Sequence, residues 1–233
     1  MDINRYTFLL IISFIGLIVI SLQPFLLISM ETELAYHMII EHSIFFLLGA
    51  ISIKIAEVLL KMLVKYERKQ KSTTIQNQNN KNKKNAILKL TNIWTVILRK
   101  IFKTKKIGYL WIVISIFILT FWHLPLIFDY SELHPNVHVL QHISFIVVGM
   151  TGFLSLRSLG ESYKIFLILI LSGMMGFIGL IFSVLDNPIF HAYSIPGHNY
   201  AGANMVIVSI ILLIIGLPLY IIKKTLTYTK SKT

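Results

Sequence analysis

Histidines concentrate in residues 121–145, which hold half of the chain's eight histidines. The stretch ends one apolar segment at His123, turns through acidic and proline residues, and begins a second apolar segment with His138 and His142 one helical turn apart. Imidazole is costly to place in hydrocarbon and is the commonest metal ligand in proteins. Histidine at both ends of a membrane hairpin therefore predicts a functional site, with metal binding as its first chemistry.

The composition predicts an integral membrane protein. Of the 233 residues 55% are hydrophobic and 14% are charged, and the mean hydropathy is +0.74. The net charge of +12 would suggest nucleic acid in a soluble protein, but here most of it lies in one loop and at the C-terminus. It therefore indicates membrane topology and an anionic lipid bilayer as partner, with no nucleic acid. Because the chain has no cysteine, any metal must rest on His, Met and carboxylate ligands.

The elements that position these side chains are predicted to be about six transmembrane helices in an all-α, polytopic bundle. The predicted spans are Tyr6 to Ile28, Leu34 to Val64, Ile107 to Phe128, Asn136 to Leu156, Tyr163 to Leu185 and Tyr200 to Ile222. Residues 1–64 then form helices one and two, 65–106 a basic linker, 107–224 helices three to six, and 225–233 a tail. Loop charges place both termini in the cytoplasm and the protein in the cell membrane.

Two segments outside the central spans leave alternatives open. The first apolar run is interpreted as a span, with a cleaved signal peptide as the alternative. In the linker, residues 70–85 form a Lys/Asn/Gln-rich run that is predicted to stay unstructured. Residues 86–101 have the apolar spacing of a basic amphipathic helix, which would lie on the inner leaflet or bind a partner.

This topology places every histidine on the outer half of the protein. His42, His123 and His142 fall on three different helices, each roughly 8 to 12 Å below the outer end of its helix at 1.5 Å of rise per residue. His138 shares a face with His142, with Gln141 beside them as a supporting residue. Three imidazoles at one depth predict a shared site, whereas single histidines are equally explained as interfacial hydrogen-bonding residues.

The start of the second span adds a second set of polar residues. His37 pairs with Glu41, and Met38 with His42, at a spacing of four residues. In a regular helix the two histidines are about 140° apart, so one ion does not easily bind both. Either His42 is the ligand and His37 with Glu41 supports it, or the two pairs serve different sites.

Other polar and aromatic residues near the histidines have plainer interpretations. Asp129 either caps the turn or orients His123. Trp122, Tyr130 and Tyr193 are assigned to the interfacial aromatic belt. His191 and His198 lie in a predicted outer turn that can reach water, and they are expected to act outside the shared site.

Four motifs resemble the CtaG-type membrane assembly factors of cytochrome c oxidase and related archaeal multi-span proteins of unknown function. They are HMIIEH at 37–42, WHLPLIFD at 122–129, HPNVHVLQHISFIVVG at 134–149 and AGANM at 201–205. The resemblance implies copper insertion into a membrane oxidase, with the subunits of an oxidase or another copper enzyme as partners. It places copper at His37, Met38, His42, His123, His138 and His142.

Copper handling is therefore the leading hypothesis, and enzymatic activity is not expected. Histidine together with methionine suits Cu(I) in the absence of thiolates. One alternative is a b-type haem or quinone-linked redox subunit, with two of His42, His123 and His142 as axial ligands. Another is a non-catalytic structural subunit of a respiratory or copper-monooxygenase complex. A membrane hydrolase is disfavoured, because no zinc-protease pairing or nucleophile turn is present.

Overall fold

The computed structural model describes residues 3–21, 34–73 and 105–230, and within these residues it contains helices and short connections but no strand. The helices are α1 (Ile3–Ser21), α2 (His42–Thr73), α3 (Lys105–Trp122), α4 (Pro125–Leu133), α5 (Pro135–Ser158), α6 (Glu161–Ser183), α7 (Ile195–Ile211) and α8 (Leu217–Lys230). Two π-helical turns interrupt this pattern, Tyr36–Glu41 before α2 and Leu212–Gly216 between α7 and α8.

Four helical segments are long and apolar enough to cross a membrane. These candidate spans are Tyr36–Leu59, Pro135–Ser158, Glu161–Ser183 and Ile195–Leu226, and the bent pair Ile107–Trp122 with Pro125–Leu133 would make a fifth. The predicted all-α, multi-pass architecture is confirmed at this level. The first predicted span, Tyr6 to Ile28, lies in α1, where the apolar helix Thr7–Val19 is shorter, and extends into residues 22–33, which lie outside the described part of the chain.

The third predicted span does not run straight to Phe128. Helix α3 ends at Trp122, and α4 starts at Pro125 with its axis turned by 69°. Proline lacks the N–H of a continuing helix and disfavours helical backbone in the residue before it; Leu124 is accordingly extended, with ψ 127°. The break leaves His123 between the two helices, beside the start of α4.

The linker prediction falls mostly outside the described residues. Helix α2 continues to Thr73, four residues into the run at 70–85 that was predicted to be unstructured. Helix formation thus extends into that run. The remainder of it and the predicted amphipathic helix at 86–101 belong to residues 74–104, which the structure does not describe.

Two glycines bring α2 and α5 into close contact below the histidines. A Cβ atom at Gly49 would overlap the carbonyl oxygen of Ile146, and one at Gly149 would overlap that of Phe46. Gly49 and Gly149 each follow a histidine, His42 and His142, by seven residues, about two helical turns. This crossing therefore holds the two histidines at the same depth on neighbouring helices.

A second helix pair, α6 with α7, uses the same kind of contact. A Cβ at Gly179 would lie 2.8 Å from the carbonyl oxygen of Gly202, and the Ser209 hydroxyl donates a hydrogen bond of 2.7 Å to the carbonyl of Ser172. Gly179 thus packs directly against α7, whereas Gly173 on the same helix has open space around its Cβ position.

An ion pair joins α2 and α5 again at the opposite end of the bundle. Arg157 donates through both guanidinium nitrogens to Glu57, with Nη2 to Oε1 at 2.7 Å. Lys54, on the same helix as Glu57, lies 3.6 Å from the same carboxylate. This bidentate pair and the Gly49–Gly149 crossing hold α2 against α5 at two levels.

Candidate metal site

The π-helical turn at Tyr36–Glu41 decides how His37 and His42 are placed. The backbone N–H of His42 donates to the carbonyl of His37, five residues earlier, so the turn holds one more residue than an α-helical turn. Two side chains five residues apart then share a face. Nε2 of His37 lies 3.3 Å from Nε2 of His42, so the divergence of about 140° that a regular helix would give does not apply to this turn.

Three helical segments contribute a triad of His37, which is buried, and Glu132 and His138, which are partly buried. Their ligand atoms all lie within 4.8 Å of one another. Oε1 of Glu132 is 3.6 Å from Nε2 of His37 and 3.9 Å from Nε2 of His138. With metal–ligand bonds of about 2.1 Å, the edges of a tetrahedral site are roughly 3.4 Å. These separations and the 3.3 Å between His37 and His42 therefore fit ligands of one small cation.

Glu41 lies between two imidazoles and touches both. Its Oε2 is 2.7 Å from Nδ1 of His37, and its Oε1 is 2.7 Å from Nε2 of His142. These distances are too short for edges of a tetrahedral coordination sphere. A carboxylate at Nδ1 of a histidine favours the tautomer whose Nε2 is free to bind a metal. Glu41 therefore serves as the support for His37, and Glu41, His138 and His142 also form a second group of ligand type.

The buried nitrogen and carboxylate oxygen atoms of this cluster are close to one another, but they are poorly aligned for hydrogen bonds. Among the described residues, no hydrogen bond of normal geometry reaches Nδ1 of His37, Oε2 of Glu41, Oε1 of Glu132, Nε2 of His138 or Nε2 of His142. Buried polar groups without directed hydrogen bonds cost free energy. Convergence of nitrogen and carboxylate lone pairs is the arrangement that a bound cation would stabilise.

His123 stands at the edge of the cluster, next to His42. The two ring centroids are 5.3 Å apart, and Nδ1–H of His123 is within hydrogen-bond distance, 2.7 Å, of the Leu119 carbonyl. With Nδ1 donating, Nε2 of His123 keeps a free lone pair. Phe128 and Phe145, both fully buried, pack against the rings of the cluster, and Phe128 also belongs to the apolar core.

The structure thus gathers His37, His42, His123, His138 and His142 around two carboxylates at one end of the bundle, hereafter the histidine end. The rings of His42 and His123 are neighbours, with centroids 5.3 Å apart. His142 instead pairs with Glu41, and its ring centroid is 4.3 Å from that of His138. The predicted layer of three therefore forms two neighbouring groups, with His37 and His138 at the centre.

Met38 and the expected supporting residues occupy different surroundings. Met38 packs against the apolar core cluster that includes Leu34 and Phe128. Gln141 is fully buried and accepts a hydrogen bond from Ser131 at 3.1 Å, which links α5 to α4 under Glu132. Asp129 does not orient His123. Its carboxylate accepts the backbone N–H groups of His191 and Ala192 and so caps the connection between α6 and α7.

Glu132 is the ligand candidate that the sequence reasoning missed. It was assigned to a turn, but the 69° bend after α3 carries it on α4 into the cluster. Tyr193, assigned to the aromatic belt, is buried, and its hydroxyl donates to Oε2 of Glu132 at 3.0 Å. The sequence contained one signal for this role, because Glu132 is a carboxylate one helical turn after Phe128 in an apolar hairpin. Trp122 is also buried, so its belt assignment was wrong as well, while Tyr130 is exposed.

Two further histidines of this end, His191 and His198, act in the connection between α6 and α7. His191 is 81% exposed and lies 3.2 Å from Asp129. His198 is fully buried, contrary to its predicted place in a turn that reaches water. Its Nδ1–H donates to the Ser194 carbonyl at 2.9 Å, and its Nε2 accepts the Phe190 N–H at 3.2 Å. Both nitrogens of His198 are therefore occupied by backbone groups.

Comparisons with known proteins yield a family but no characterised relative. No curated protein and no solved structure matches the chain. One family model matches residues 11–227, nearly the whole length, and its members are described as proteins of unknown function. This match covers the candidate spans and every residue of the cluster. The chain belongs to the DUF1404 family.

Proposed function

We propose that this chain is a multi-pass membrane protein that binds a divalent transition-metal ion at His37, Glu132 and His138. The single observation that carries the proposal is the buried convergence of these three ligand atoms, within 4.8 Å of one another, on three helical segments. His42, whose Nε2 is 3.3 Å from that of His37, is the best placed fourth ligand. Glu41 holds Nδ1 of His37 and so directs Nε2 towards the ion.

The donor set favours Cu(II), Zn(II) or Fe(II) over Cu(I). Imidazole and carboxylate are borderline to hard ligands, and Cu(II) binds them most strongly in the divalent series. The soft thioether of Met38 packs on the apolar core instead. We therefore propose copper as cargo in its divalent form, with handling of copper for a membrane oxidase as the role that the CtaG-type resemblance suggests.

The alternative of a b-type haem is less well supported by the packing. The ring of His42 has aromatic neighbours on several sides, with centroids of His37 at 4.8 Å, His123 at 5.3 Å and Phe145 at 4.1 Å. A macrocycle between two axial imidazoles would have to displace this whole shell. A small cation needs no such displacement.

Charge distribution supports a location for the proposed site. Lys54, Arg157 and Lys164 lie at the end of the bundle opposite the histidine end. If the positive-inside rule holds, that end faces the cytoplasm and the metal site faces the outside of the cell membrane, where oxidase copper sites would be loaded.

Metal analysis of the purified, detergent-solubilised protein tests the proposal. Stripped protein is dialysed against Cu(II), Zn(II) or Fe(II), and bound metal is measured per chain. We expect about one ion per wild-type chain, loss of that ion in His138→Ala and retention in His191→Ala, which changes an exposed histidine of the same end. Equal metal content in the two variants, or none in the wild type, would contradict the proposed site.

A further inference from the structure

His138 belongs to two overlapping groups of ligands. One is the triad with His37 and Glu132, and the other contains Glu41 and His142. His138 is common to both groups, and one ring nitrogen binds one ion at a time. The two groups therefore describe two alternative positions for a single ion, a short distance apart.

The two positions differ in how ready they are to bind. In the first, the separations of 3.6 and 3.9 Å from Glu132 leave room for a cation. In the second, Oε1 of Glu41 and Nε2 of His142 already touch at 2.7 Å, so an ion must open that pair by several tenths of an ångström. The first position is the resting one, and the second is occupied in passing.

The two positions differ in the exposure of their side chains. Around the shared His138, which is 16% exposed, the first position has His37 at 0% and Glu132 at 8%, and the second has Glu41 at 4% and His142 at 19%. The His142 ring also stacks on Phe45, with centroids 4.4 Å apart. His142 is thus the most exposed residue of the two groups, and it is the side from which an outside ligand would reach the ion.

We infer that His138 is the pivot of a two-position relay, through which the ion leaves the triad of His37 and Glu132 by exchanging those ligands for Glu41 and His142. This inference rests on the proposed metal site and concerns the route of release. No bond other than metal–ligand bonds changes, and the ion keeps its charge. A competing chelator or an acceptor protein takes the ion from the His142 side.

Release kinetics test the relay. Co(II) serves as the probe because its visible absorption reports the ligands, and EDTA in excess removes it from the solubilised full-length protein. His142→Gln keeps an amide that can hydrogen-bond to Glu41 but is a poor ligand. The matched control is His134→Gln, which changes an exposed histidine stacked on Tyr130 at the start of α5.

We expect His142→Gln to bind one Co(II) with nearly wild-type affinity and to release it about tenfold more slowly, within the range seen for changes next to a metal site. His134→Gln should release at the wild-type rate. Unchanged release from His142→Gln would overturn the relay and leave the metal site standing. Loss of Co(II) from His142→Gln would make His142 a resting ligand and would also overturn it. Failure of the wild type to bind Co(II) would instead refute the proposed site.

Protein integrity is checked by helical circular dichroism and by a single peak in size-exclusion chromatography. If His142→Gln does not pass both checks, His142→Ala is measured in its place. The relay predicts the same slow release for that variant, and fast release from it would overturn the inference.

Discussion

Two histidines of this protein, His37 and His198, are equally buried and differently used. Both have 0% exposed surface, and both lie at the histidine end between aromatic rings. His198 gives both ring nitrogens to backbone groups at 2.9 and 3.2 Å. His37 instead faces another imidazole and two carboxylates, with distances of 2.7 to 3.6 Å. Burial of a histidine is thus no guide to its role, whereas the identity of its partners is.

The difference has a backbone origin. His198 sits in the first turn of α7, where its partners come from the same connection, so its hydrogen bonds are local. His37 sits in a π-helical turn beside Glu41 and His42, and it also receives partners from α4 and α5, which are distant in sequence. All these partners are side chains, and because no backbone group takes the ring nitrogens first, the side chains can converge on a ligand.

The sharpest test replaces each buried histidine in turn. His37→Ala should lower metal affinity by more than about 100-fold, above the range for supporting residues, because a central ligand is removed. His198→Ala should retain the metal and instead lower thermal stability, since the Phe190 N–H and Ser194 carbonyl lose their partner. Isothermal titration with Cu(II) and thermal unfolding in detergent measure both effects. Parallel losses of metal in the two variants would erase the distinction.

The next test compares two acids of α4. Glu132→Gln removes the carboxylate ligand, and we expect a loss of metal affinity of about 10- to 100-fold. Asp129→Asn changes the cap on the backbone N–H groups of His191 and Ala192, so it should affect stability but leave metal affinity unchanged. Both substitutions remove one negative charge, at positions one helical turn apart. A stronger metal effect from Asp129→Asn would place the site elsewhere.

The smallest expected effect comes from the glycines that set helix approach. Gly149→Ala inserts a methyl group against the Phe46 backbone, and Gly202→Ala inserts one against Ser183. Each should cost about 1 to 3 kcal/mol of stability through overpacking. Only Gly149→Ala, which shifts α2 against α5, should also weaken metal binding, and by less than Glu132→Gln does.

Gly152→Ala is the control for this pair, because a Cβ at that position has no neighbour within 4 Å. It should change neither stability nor metal binding. Weakened metal binding in Gly202→Ala would show that the α6–α7 pair also holds the site, and the contrast between the two regions would lose its structural basis.

Much of the cluster could be anticipated because its residues are rare in apolar segments. A charge or an imidazole in hydrocarbon has a high free energy, so His37, His42, His123, His138 and His142 stand out in the chain without any structure. Helical periodicity then gives the faces that carry His138 and His142 and the pair of His37 with Glu41. The chemistry of single residues and the helical periodicity are enough for these assignments. They are also enough to predict the all-α, multi-pass fold class.

Tertiary structure alone decided which of these residues meet. A π-helical turn departs from the α-helical period of 3.6 residues, so a pattern search at that period does not predict it. The turn nevertheless places His37 and His42 on the same face. The direction of the chain after Leu124 moved Glu132 from a supposed turn into the cluster. His198 is a histidine like the others, but it does not join the cluster. Both of its ring nitrogens are hydrogen-bonded to backbone groups of the connection between α6 and α7. The physical reason is one and the same: sequence determines which groups are costly to bury, and only the packing of helices determines which partner satisfies each group.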